Sequence, residues 1–230
     1  MTHRRMRIAT RWSAELLAVL LLVSVIHSAS AAPAKCDFTA WVEERDAAGL
    51  NVRQAPNARS RVVGVLPPTW FEKDYGDLGE RVMVTVTDAR NGWFRIRDAH
   101  DYSFLTERDA RPTYAGEGWV HGSRLVVKSQ ASRGRATPSR QSKTIFELGG
   151  DQSFDSDAMV KGGRPVDCQG HWVRLEFDEH HLTQDLVAEM RIAPGARQGL
   201  PAGRFRFWVN KICAAQETTC DGLAVQDEQP

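Results

Sequence analysis

No Cys-x-x-Cys pair, no His-Glu-x-x-His, no Gly-x-Ser-x-Gly, no phosphate loop and no dinucleotide fingerprint occurs in the 230 residues of this chain. Each absence removes the sequence basis for one chemistry: zinc or redox dithiol sites, zinc peptidases, serine hydrolases, nucleotide hydrolysis and hydride transfer. The sequence also lacks a second long apolar run after the stretch Leu16 to Ile26. That stretch holds eleven residues, where a membrane-spanning helix needs about 20. Nor is there a charge excess of either sign, the formal net charge being +1.

The amino end reads as a secretory signal over residues 1–31. Arg4, Arg5, Arg7 and Arg11 precede the apolar run, and Ser28-Ala29-Ser30-Ala31-Ala32 follows it, the arrangement of a cleaved export signal. Cys36 follows Pro33-Ala34-Lys35, which is not the small apolar box that precedes a lipid-bearing cysteine. The chain is therefore expected to be periplasmic or secreted, with no stable membrane span after cleavage. Loss of four Arg and one Glu with the signal leaves 26 basic against 28 acidic side chains, so nucleic-acid binding has no electrostatic basis.

Four cysteines remain: Cys36, Cys168, Cys213 and Cys220. In an oxidising compartment an even count favours disulfides. Three pairings are possible. The short separation favours Cys213 with Cys220, which leaves Cys36 for Cys168, and the crossed pairings stay open. Other candidate chemistry has a plainer reading in each case. Cys168 and His171 could be a nucleophile and its base, but a structural cysteine suits the compartment better. Asp178-Glu179-His180-His181 could ligate a metal, but neighbouring histidines point apart and no motif supplies a third ligand. His100 and His121 have no partner that the sequence identifies. No cofactor is expected, and the chain is read as non-catalytic.

What is present is β patterning. Arg81 to Asp88 alternates Val82, Val84 and Val86 with Met83, Thr85 and Thr87, the period of a half-buried strand. Asn91-Gly92 supplies the two positive-φ positions of a type I′ turn, and Trp93 to Arg97 returns as the partner strand. Leu50 to Arg53 and Val62 to Leu66 read as two more strands joined through Pro56-Asn57, and Gly118-Trp119-Val120 as a last one. The run Gly49 to Pro68, the hairpin and the closing Gly-Trp-Val resemble bacterial SH3-like (SH3b) domains, over roughly Gly49 to Leu125 apart from a hydrophilic insertion at 99–115.

A weaker echo follows. Gln169 to Leu175 lies on Arg90 to Ile96 at an offset of 79 residues, and Trp208-Val209 on Trp119-Val120 at 89. The expected fold is accordingly all-β, two small SH3-like barrels in tandem: residues 36–127, a basic Ser-rich linker at 128–143, and residues 144–222. Trp93, Trp119, Trp172 and Trp208 are read as packing residues. The resemblance implies recognition beside the first long loop and the connection after the second strand, which makes Arg53, Asn57, Trp70 and Tyr75 the candidate binding residues. It also implies a partner that is a peptide or a cell-envelope polymer such as peptidoglycan. The competing expectation is a protein-interaction factor: an inhibitor, an antidote or an assembly partner.

Overall fold

In the computed structural model the described residues are 35–73, 79–103, 106–149, 154, 156–213 and 224–225. They are predominantly strand, and residues 34–230 form one unit. The first half contains β1 (Phe38–Val42), β2 (Leu50–Arg53), β3 (Val62–Leu66), β4 (Trp70–Phe71), β5 (Gly79–Glu80), β6 (Val82–Arg90), β7 (Trp93–Asp101), β8 (Gly118–His121) and β9 (Leu125–Val126). The alternation expected for Arg81 to Asp88 is realised in β6, where Val82, Val84 and Val86 are buried and the residues between them are not. Asn91 and Gly92 have φ of 53° and 77°, and Arg90 pairs with Trp93 across the turn. The antiparallel order is β3-β2-β8-β7-β6-β1-β9, with a single 3-10 turn over Gly122–Arg124 between β8 and β9.

The second half contains β10 (Arg133–Arg135), β11 (Thr144–Leu148), α1 (Asp157–Gly162), β12 (Gly163–Gln169), β13 (Trp172–Asp178), α2 (Gln184–Ala188), β14 (Met190–Ile192), α3 (Pro194–Arg197), β15 (Arg204–Val209), β16 (Ile212–Cys213) and β17 (Ala224–Val225). Its main sheet runs β12-β13-β15-β10-β11-β14. Strand for strand this repeats the first sheet, with β12, β13, β15, β10 and β11 standing where β6, β7, β8, β2 and β3 stand. Arg53 pairs with Trp119 in one and Arg135 with Trp208 in the other.

One correction follows directly. The segment 128–143, expected as a basic Ser-rich linker, holds β10 and the turn that leads into β11. It is the opening hairpin of the repeat, 82 positions after its first copy. The turn is rebuilt bond for bond. Arg53 Nη1 donates to the Ser60 carbonyl at 2.8 Å and Ala55 N to Ser60 Oγ at 2.9 Å; Arg135 Nη1 donates to the Ser142 carbonyl at 3.1 Å and Thr137 N to Ser142 Oγ at 2.9 Å. The signal in the sequence was Arg-x-x-Pro-x-x-x-Ser followed by Arg or Lys, which both copies carry.

A second correction concerns closure. The sheets are open ladders whose edge strands, β3 and β9 in one and β12 and β14 in the other, do not join. A sheet can bury its apolar face against another layer as well as by curling on itself, and here the apolar residues of both halves form one continuous core. It runs from Phe38, Val84 and Ile96 through Leu175 to a stack of Phe146, Phe177, Phe205 and Phe207, in which the Phe146 and Phe207 ring centres lie 4.3 Å apart. Cys36 is bonded to Cys168, with the Cα atoms 5.6 Å apart. Around that bond Asp37 N donates to the Gly170 carbonyl at 2.9 Å, and Gly170 N to the Lys35 carbonyl at 2.7 Å. Cys213 is disulfide-bonded as well; Cys220, the partner expected for it, lies outside the described residues. Among the described residues no helix is long and apolar enough to cross a membrane.

Candidate functional site

Trp70 and Phe71 are each 38% exposed, an unusual position for two adjacent large aromatic side chains. They form β4, which pairs with β5 in the register Trp70 to Glu80 and Phe71 to Gly79. Glycine is required at 79, since a Cβ there would come within 2.8 Å of the Phe71 ring. Buried Thr69 fixes the approach to the pair. Its N donates to the Glu44 carbonyl at 2.8 Å, and Glu44 Oε1 in turn accepts from the backbone N of Arg45 and Asp46. That arrangement sets the Arg45 guanidinium 4.9 Å from the centre of the Phe71 ring.

The Trp70 ring meets two more arginines, Arg108 at 5.3 Å and Arg111 at 5.9 Å. Both come from the hydrophilic insertion at 99–115, and a buried pair of carboxylates holds them there. Asp101 accepts from Arg111 Nη2 at 2.7 Å and Nε at 3.0 Å, and from Arg108 Nη1 at 2.6 Å. Glu80 accepts from Arg108 Nε at 3.0 Å and from Thr106 Oγ1 at 2.6 Å. Arg111 Nη1 reaches back to the Pro68 carbonyl at 2.7 Å, tying the insertion to the start of β4. Burial alone would push the Asp101 carboxyl up, but the hydrogen bonds from Arg111 and then Arg108 outweigh it and hold the group well below the ordinary carboxylate range. For Arg108 burial opposes the charge, and Asp101 and Glu80 more than restore it.

The result is a fixed aromatic surface rimmed by guanidinium groups. An aromatic face with cations at its edge can stack on apolar or sugar surfaces while the arginines meet acidic groups.

Of the four residues singled out from the sequence, Trp70 belongs to this surface. Arg53 and Asn57 are engaged in their own turn, Arg53 on Ser60 and Asn57 Oδ1 accepting from Arg59 N at 3.1 Å; among the described residues neither hydrogen-bonds to Trp70. Tyr75 lies outside the described residues. The sequence reading did not find Arg45, Glu80, Asp101, Arg108 or Arg111. The available signal was the density of opposite charges in the insertion, Glu107-Arg108-Asp109-Ala110-Arg111, which in composition alone is that of a solvated loop. Trp119 and Trp208 are buried, as packing residues should be, and Trp93 lies edge-on to His121 at 5.3 Å. Asp178 and His180 share a local turn in which Asp178 Oδ1 accepts from His180 N at 3.1 Å, and no metal-sized cluster is found among the described residues.

Compared with protein-family models, with curated proteins and with solved structures, the chain matches none. The site must be read from its own chemistry.

Proposed function

We propose that this is an exported, non-catalytic binding protein whose two halves are variants of an SH3-like module, and that Trp70 and Phe71 dock it on a peptide or on a cell-envelope polymer of the peptidoglycan kind. The exposed aromatic pair with Arg45, Arg108 and Arg111 around it is the observation that carries the reading. Peptidoglycan combines sugar faces with peptide carboxylates, the two surfaces such a site complements. Support for the module comes from the strand order, in which the meander β6-β7-β8 is followed by a 3-10 turn and then by β9, which returns to β1. The open ladders mark a departure from a closed barrel. Export is supported by the arginine-then-apolar amino end and by the buried Cys36–Cys168 bond.

Pelleting of the mature protein with purified sacculi tests the proposal. Retention of the parent protein, with at least a fivefold loss for the Trp70→Ala/Phe71→Ala variant at unchanged melting temperature, is the expected outcome. Equal retention of both proteins would exclude this surface as the site. A clean supernatant with a co-purifying polypeptide would favour the protein-interaction reading.

A further inference from the structure

The second half holds a cleft of about 610 Å³ that the sequence reading did not anticipate. Its floor is partly apolar, from Ile145, Ala193, Pro194 and Phe207, and three cations line it: Lys143 from the end of the repeated turn, Arg174 from β13 and Arg206 from β15. That volume lies within the roughly 300–1,000 Å³ usual for small-ligand sites.

Among the described residues neither Arg174, Arg206 nor Lys143 makes a side-chain hydrogen bond or ion pair, although Glu176 faces Arg206 across the ladder, and the buried Nε of Arg174 has no acceptor. The Arg174 guanidinium lies 5.8 Å from the centre of the Trp208 ring. The nearby carboxylates are engaged elsewhere: Asp167 with Lys35 at 2.6 Å, and Glu176 with Arg164 at 2.6 Å and Arg204 at 3.5 Å. Burial and then the charge of Arg206 depress the Arg174 pKa, and Asp167 and Glu176 offset this only in part.

The repeat shows that this placement of charge is specific to the second half. Arg174 pairs with Trp208 as Arg95 pairs with Trp119. In the first half the residue two before the tryptophan is Glu117, which neutralises Arg95 at 2.5 Å. In the second half that position is Arg206. The acidic position has moved as well, Glu176 standing where the first half has Arg97 and facing Arg206 across the ladder, but Glu176 is taken by Arg164 and Arg204, which leaves Arg174 and Arg206 together on the cleft. Two cations lining one cleft, with the neighbouring carboxylate shared among other arginines, repel each other in the empty protein and are complementary to an anionic ligand.

We infer that this cleft binds a carboxylate carried on a short aliphatic or peptidic body, with Arg174 and Arg206 gripping the carboxylate, Lys143 at the mouth, and Ile145, Pro194 and Phe207 taking the apolar portion. A bare oxyanion would leave most of the volume and all of the apolar floor unused. The inference goes beyond the Trp70 and Phe71 surface and does not depend on it.

Calorimetric titration of the full chain, disulfides intact and at low ionic strength, with acetyl-alanyl-alanine, with its carboxy-terminal amide and with inorganic phosphate tests it. The acid is expected to bind at least tenfold more tightly than the amide and more tightly than phosphate. Arg206→Gln and Arg174→Gln, each of which removes one of the two cations without adding a carboxylate opposite Glu176, are each expected to weaken binding at least tenfold without lowering the melting temperature. Equal affinity for acid and amide, tighter binding of phosphate, unchanged affinity in Arg206→Gln, or absence of binding by the acid would each overturn the assignment.

Discussion

Asp101 shows how much of the candidate site depends on one buried charge. Its carboxylate is almost wholly inaccessible and answers two guanidinium groups that would otherwise crowd each other beneath Trp70. Removing one partner of such a group leaves uncompensated charge behind, so Asp101→Asn is expected to cost about 3–5 kcal/mol at pH 7. The folded state holds the Asp101 pKa below its unfolded value. The stabilisation is therefore complete above the unfolded pKa of about 4 and is lost as pH falls through the folded value. Urea unfolding of parent and variant should show a constant gap from pH 8 to about pH 5 that narrows below about pH 4. A gap that stays constant to pH 3 would assign the effect to packing instead of charge. At this scale the sequence was only partly legible. Arg53 and Asn57 attract notice because turn chemistry is local, and local chemistry is what they turn out to serve. Arg108 and Arg111 act through Glu80, Asp101 and Pro68, partners that only the fold assembles.

Among the elements, the two opening hairpins show why the repeat was half hidden. The hairpin at Asn91 could be read because its apolar alternation and its turn residues agree. Strand β10, Arg133-Gly134-Arg135, has no apolar residue to betray it. In the first copy Val52 faces Gly64 across the ladder; in the second Gly134 faces Phe146. The bulk has crossed from one strand to the other, and the periodicity left with it. Gly64 is covered by Tyr114, whereas the space at Gly134 is taken by the Phe207 ring, 2.4 Å from where a Cβ would stand. Gly134→Val is thus expected to overpack the phenylalanine stack and destabilise by about 1–3 kcal/mol. Restoring the first arrangement with Phe146→Gly should couple to it, so that the double variant is more stable than the two single effects would sum to. Chemical denaturation of the four proteins checks this, and strict additivity would mean that the two positions do not share space. The extra residues of each copy fall between the same strands, β7 and β8 or β13 and β15. From that connection come Arg108 and Arg111 in the first half, and in the second the Ala193 to Gln198 wall of the cleft.

For the molecule as a whole, one core and one bond between the halves argue against independent folding. The Cys36–Cys168 bond closes a separation of 132 residues. By the chain-entropy argument it contributes about 5 kcal/mol through the unfolded state. Replacement of Cys36 and Cys168 by serine, which leaves the bond of Cys213 in place, should lower the urea midpoint of the two halves together in a single transition. Two separated transitions would show that the halves are autonomous. Cysteine spacing in the sequence made this pairing legible, and strand patterning the β class. Openness of the sheets was not legible, because alternation says which face of a strand is greasy and not what covers it.

The long closure has a temporal side. Ribosomes make a chain from its amino end at roughly 5–20 residues per second, so 132 residues separate the appearance of the two sulfurs by on the order of ten seconds. Strand β1, next to Cys36, pairs with β6 and β9, so the first sulfur belongs to the early part of the chain and its partner to the late part. On the export reading the bond can close only in the oxidising compartment, once both sulfurs have arrived there.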